Sequence, residues 1–117
     1  MATTLESNNG THQATTALEP HRLVLVASTG KVGYAANAGQ FSGSTINRAV
    51  SADDPVAVKY RSGNGKHILT ASGAITRGAL VYTDANGKIT ATVTAVLVGQ
   101  ALEAATADND QIEVLVF

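Results

Sequence analysis

The stretch whose reading decides the fold runs from Gly73 to Phe117: GAITRGALVYTDANGKITATVTAVLVGQALEAATADNDQIEVLVF. Its apolar residues come in short runs divided by turn formers. Ala79 to Tyr82 is one run. Asp84-Ala85-Asn86-Gly87 follows as a turn of the type I plus glycine-bulge kind, because Asn and Gly tolerate positive φ. Lys88 to Ala95 then alternates, with Ile89, Ala91, Val93 and Ala95 against Lys88, Thr90, Thr92 and Thr94. Period two is the mark of a half-buried antiparallel strand, so Val93 is expected to point inward. Val96 to Ala104 reads as a strand, although Ala101 to Ala105 also tolerates a helix. Asp108-Asn109-Asp110 is a turn, and Ile112 to Phe117 is a final strand.

The same grammar extends upstream. His21 to Ala27 holds the unbroken run Leu23-Val24-Leu25-Val26, which suits a strand covered on both faces. Ser28 to Lys31 is a turn. Val32 to Ser51 is rich in Gly, Ala, Asn and Ser and reads as a long ordered loop, with a brief helical turn over Ser44 to Ala49. Asp53-Asp54-Pro55 turns into a strand over Val56 to Tyr60. Ser62-Gly63-Asn64-Gly65 signals a tight hairpin, from which His67 to Ala71 pairs back. Short strands at this spacing, with no sustained helical period, predict an all-β fold: a small antiparallel β-sandwich or barrel. No internal repeat is evident in the letters.

Met1 to Glu19 contrasts with this. It is polar, aperiodic and anchored only by Leu5 and Leu18, too little apolar surface to offset the entropy of ordering. The expected organisation is a flexible N-terminal arm over residues 1–20, closed by Pro20, and a β-domain over 21–117.

A chain of 117 residues fits one domain. Apolar residues make up 44% but aromatics only 4%, so the core must rest on Val, Ile, Leu and Ala, and burial against a partner would help. Cysteine is absent, which excludes disulfides and thiolate metal sites. No apolar run is long enough to span a bilayer and no signal peptide is recognisable, so neither a membrane nor secretion is expected. A net charge of −1 disfavours nucleic acid as partner. Charge is uneven: Lys59, Arg61, Lys66, Arg77 and Lys88 make the middle basic, whereas Glu103, Asp108, Asp110 and Glu113 make the end acidic. Two solvated faces of one sheet would explain this; so would charge complementarity between neighbouring copies.

The residues offer no catalytic constellation. Gly30-Lys31, Gly65-Lys66 and Gly87-Lys88 lack both the earlier Gly and the following Ser or Thr of a phosphate loop, so each reads as a turn. His12, His21 and His67 are not at metal-ligand spacing. Asp108, Asp110 and Glu113 lack the glycine and terminal glutamate of a calcium loop. No Gly-x-Ser-x-Gly elbow occurs. No enzyme, metal or cofactor is expected.

Three stretches, GALVYTDANGKIT (Gly78–Thr90), GQALEAATADND (Gly99–Asp110) and IEVLVF (Ile112–Phe117), resemble the small head decoration, or cement, proteins of tailed phages. Relatives in that family are sometimes given a recombinase-like label, which the failed phosphate loops do not support. In type the family is similar to the lambda-like decoration proteins. The resemblance implies a non-enzymatic virion protein, made in the host cytoplasm. It would sit on the outer surface of the expanded head, as homotrimers at local threefold positions, with the major capsid protein as partner. It also implies an arm ordered on the capsid. Thr11, Ala14, Thr15 and Thr16 would then add a strand to an exposed capsid edge, and Leu18 would fill a pocket. The alternative from another class is a virion-displayed β-sandwich that binds a host-surface glycan; it would require Tyr34, Phe41, Tyr60, Tyr82 and Phe117 to cluster on one face.

Overall fold

A computed structural model describes residues 9–35, 40–61, 65–93 and 96–117. Short runs of alternating Val, Leu, Ile and Thr make ten strands in this part of the chain, gathered into two antiparallel five-stranded sheets. The first sheet comprises β1 (Asn9–Gln13), β2 (Leu23–Val26), β3 (Val32–Tyr34), β4 (Gly43–Thr45) and β5 (Pro55–Tyr60), ordered β1-β5-β4-β2-β3. The second comprises β6 (Lys66–Thr70), β7 (Leu80–Thr83), β8 (Ile89–Thr90), β9 (Leu97–Ala101) and β10 (Gln111–Val116), ordered β6-β10-β9-β7-β8. This is the all-β, antiparallel class expected from the sequence.

The two orders are the same order written twice. In the first sheet a parallel bridge joins Ala14 to Val32, and an antiparallel one joins Leu18 to Ala49. In the second, the corresponding bridges are Ala71 to Ile89 and Ile75 to Ala105. The offset is 57 residues through Val32 and 56 at Ala49, so the chain is a tandem structural repeat with a one-residue difference between the copies. Backbone hydrogen bonds repeat at the same offset. Ala14 N donates to Asp54 O as Ala71 N donates to Asp110 O, and Ile46 N to Ala57 O as Leu102 N to Glu113 O. Left-handed residues repeat as well: Gly30 with Gly87, His21 with Gly78, and Asp53 with Asn109. The absence of a repeat expected from the sequence is therefore corrected. Too few letters match, because each lobe keeps only the turn and core positions that the fold requires.

Each sheet curls round its own apolar face. Ala14, Leu18, Val24, Val32, Ala49, Val56 and Val58 form the first core. The second is built on Leu69, Ile75, Val81, Ile89, Val98, Ile112 and Val114. It also takes Leu23, Ala35 and Phe41 from the first lobe. Adjacent residues Leu23 and Val24 thus enter different cores, which is what the unbroken apolar run of β2 serves. The molecule measures 42 × 29 × 23 Å, longest in one direction as two lobes require.

Three local expectations are corrected. Val32 to Ser51 is not one loop: it carries β3 and β4, and Gly43–Thr45 is a strand where a helical turn over Ser44 to Ala49 was expected. β5 and β6 do not pair as a hairpin. They belong to different sheets, so the connection between them passes from one lobe to the other; Ser62, Gly63 and Asn64 of the expected turn lie outside the described residues. Finally, the alternation from Lys88 stops being a strand after Thr90. Ile89 is fully buried, but Val93 is 75% exposed, and Thr94 and Ala95 lie outside the described residues.

Candidate interaction surfaces

The seam between the lobes carries several polar contacts. Thr70 donates from both its backbone N (2.9 Å) and its hydroxyl (3.0 Å) to the carbonyl of His21. His21 has φ 61°, which turns this carbonyl toward the second lobe. Arg22 stacks over the Tyr34 ring and donates from Nη1 to Asn86 O. Lys59 Nζ donates to Lys66 O, and Arg61 Nε to Phe117 O. Gly87 is required here: a Cβ at this position would lie 2.4 Å from the Leu23 carbonyl oxygen, and its φ of 71° is itself a glycine conformation.

In the same seam Ser44 Oγ lies 2.7 Å from His67 Nδ1, both residues almost wholly buried. A groove of about 200 Å³ beside them is lined by His21, Thr45, Ile46, Lys59, Lys66 and Ile68 as well. Burial, aided by the nearby Lys59 charge, pushes the His67 pKa down to about 4, and its Nε2 has no hydrogen-bond partner among the described residues. A Ser–His pair of this kind could suggest nucleophilic catalysis. Among the described residues no carboxylate orients the histidine, and the serine is only 3% exposed. The pair instead pins β4 of the first lobe to β6 of the second. Nothing in the letters signalled it, because Ser44 fell in a presumed loop and His67 in an otherwise apolar run.

The residues expected in the capsid-contact arm divide by exposure. Thr11 lies on β1 opposite Ala57 and is exposed, as are Thr15 and Thr16. Thr15 donates its backbone N to Val32 O. Ala14 and Leu18 are buried in the first core at 0% and 1% exposure. Asn9 to Gln13 pairs with β5, so this part of the segment is built into the first lobe, and Leu18 fills a space in its own lobe. Residues Met1 to Asn8 lie outside the described part.

The basic middle and acidic end meet within the second lobe. Lys88 contacts Asp108 at 2.9 Å and Lys66 contacts Glu113 at 3.5 Å, while Lys31 and Asp53 pair at 2.6 Å in the first lobe. Asp54 and Asp110 occupy equivalent turns, each carboxylate accepting two backbone N–H groups. Those donors, with the Thr106 hydroxyl, hold Asp110 below the usual carboxylate range. These acids serve turns and ion pairs. Among the described residues no group of three or more His, Cys, Asp or Glu is placed to hold a metal ion.

Tyr34 and Tyr60 both pack, half-buried, against the first core, while Phe117 is exposed. Phe41 is buried beneath Arg61, the Tyr34 hydroxyl accepts from Glu19 N, and the Tyr60 hydroxyl meets His12 Nε2 at 2.7 Å. What the surface does offer is large apolar side chains: Leu25, Ile46, Val50, Ile68, Leu80, Val93, Leu115 and Phe117.

A two-lobed β scaffold with large apolar residues on its outside suits protein contact. The comparison with protein families agrees: the phage cement protein family matches residues 5–116, and the chain belongs to that family. It is therefore a structural protein of the phage head. Among solved structures it is similar to the head fiber gp8.5 N base of bacteriophage phi29, at TM-score 0.80 and 16% identity, over 93% of this chain and 92% of that one. At that identity the likeness is one of fold. No curated protein matches.

Proposed function

We propose that this is a non-enzymatic decoration protein that binds the outer surface of the expanded head and stabilises it against internal DNA pressure. It acts as homotrimers at local threefold positions, with the major capsid protein and its own copies as partners. The observation that carries the reading is the family match across both lobes, residues 5–116.

The physics of the fold suits the role. A cement protein needs broad surfaces and many modest contacts multiplied by symmetry rather than a deep cavity. A repeat whose lobes are already joined by hydrogen bonds across the seam provides that at little cost in ordering. Thr11, Thr15 and Thr16 remain available at the exposed side of the first lobe for capsid contact, with Ala14 and Leu18 as the buried anchors that hold them in place.

The glycan-binding alternative gains nothing from the placement of Phe41, Tyr34 and Tyr60. The test is cosedimentation of the purified protein with expanded and unexpanded heads. Saturable binding to expanded heads alone is the expected result; equal binding to both, or to neither, would overturn the reading.

A further inference from the structure

The tandem repeat makes a specific comparison possible. Positions on the face of the first lobe that the second lobe covers, Leu23, Phe41 and Ser44 among them, have counterparts in the second lobe that are more exposed. Leu23 is 0% exposed, while Leu80, at the same place in the repeat, is 46% exposed. The register is the same: Leu23 pairs with Ser44 on β4, and Leu80 with Gln100 on β9. Phe41 corresponds to half-buried Leu97. Lys59 and Arg61, both of which bond across the seam, correspond to Leu115 at 36% and Phe117 at 54% exposure. The free face of the second lobe is thus the same surface, made more apolar.

The opposite edge shows the converse. In the second lobe, Thr70 and the Asn86-Gly87 turn press on the first lobe. Their counterparts, Gln13 and Thr29-Gly30, are exposed. Gly30 has the same left-handed backbone as Gly87, at φ 84° against 71°. Yet a Cβ on Gly30 would meet nothing within 4 Å, whereas one on Gly87 would strike the Leu23 carbonyl. The molecule therefore ends, on one side, in an apolar seat and, on the other, in the edge that fills such a seat.

We infer that a second copy of this chain docks head to tail, its first-lobe edge at Gln13, Thr29 and Gly30 seated on the Leu80, Leu97, Leu115 and Phe117 face, repeating between molecules the junction that joins the two lobes. The occupant is a second copy because the surface already seated on the equivalent face is another lobe of the same fold. Clustered exposed apolar residues of this kind mark protein contacts. The contact joins two different surfaces, so it must close into a ring or run on as a filament. It deepens the trimer of the proposed function by naming how copies meet, and its test uses no heads, so its failure leaves head binding standing.

The test is sedimentation equilibrium of the full chain over a concentration series. Wild type is expected to self-associate. Leu80→Arg and Thr29→Arg, both at exposed positions, are expected to weaken association by at least about tenfold, the scale of losing a central anchor. An unchanged circular dichroism spectrum checks folding, and Leu115→Glu serves as the second variant on the apolar face. The decisive arm mixes Leu80→Arg with Thr29→Arg. Each variant keeps the surface that the other has lost, so the mixture should form one-to-one dimers that neither variant forms alone. A wild type that stays monomeric at every concentration, full association of the face variants, or a mixture that does not dimerise would each overturn the inference.

Discussion

Single residues in this protein carry consequences that their letters do not announce. Val93 sits at an apolar place in a clean alternation, yet it is 75% exposed, while Ile89 is fully buried in the second core. Val93→Asp is therefore expected to change stability by less than about 0.5 kcal/mol. Ile89→Ala should cost about 2–5 kcal/mol through lost burial and the cavity left behind; denaturant titration of the pair checks both. His67 sets the pH response. Its folded pKa of about 4 lies below its ordinary value of 6.5, so the unfolded chain takes up the proton first. The stability from the neutral buried imidazole is complete above pH 6.5 and is lost as pH falls toward 4, by on the order of 3 kcal/mol. His67→Gln should be less stable at neutral pH but should lose most of the slope in that window when melting temperature is followed against pH. Asp110 acts further into acid: its lowered folded pKa gives a contribution present above the carboxylate range and lost as pH falls through that folded value.

At the level of strands and turns, what can be read from the letters is what chemistry enforces locally. Asp84-Ala85-Asn86-Gly87 forms its turn as expected, with Asn86 and Gly87 both left-handed and Asp84 accepting the Ala85 N–H. Asp108-Asn109-Asp110 does likewise, and β10 lies where Ile112 to Phe117 placed it. β4 was illegible because Gly43-Ser44-Thr45 has no apolar signal; it is a strand because tertiary pairing with β2 and β5 decides the matter. Gly43 and Gly99 show the same demand in each lobe, since an added Cβ would lie 2.2 Å from Lys59 O in one and 1.9 Å from Leu115 O in the other. The contact is with backbone, which cannot swing away. Gly99→Ala is expected to destabilise by at least about 1–3 kcal/mol, read as a drop in the denaturation midpoint; an unchanged midpoint would mean that β9 and β10 can separate freely. The N-terminal segment divides in the same manner. Removing residues 1–8 should leave melting unchanged, whereas removing 1–19 takes away β1 and Leu18 and should destabilise the first lobe visibly by hydrogen exchange.

Taken whole, the molecule is one β unit used twice, with the second copy seated on the first. The candidate surfaces were only partly visible beforehand. Thr11, Thr15 and Thr16 are exposed as a contact segment would need, but the seam of Ser44, His67, Thr70 and Gly87 joins residues far apart in the chain and emerges only with the fold. Family membership fixes the setting as the phage head. Under the proposed function the protein decorates the outside of the mature head at local threefold positions. Cryo-electron microscopy of expanded heads with and without the added protein tests it most directly. A difference map with two-lobed density on the outer surface at those positions is the predicted result; density inside the shell, or added protein confined to the tail vertex, would contradict it.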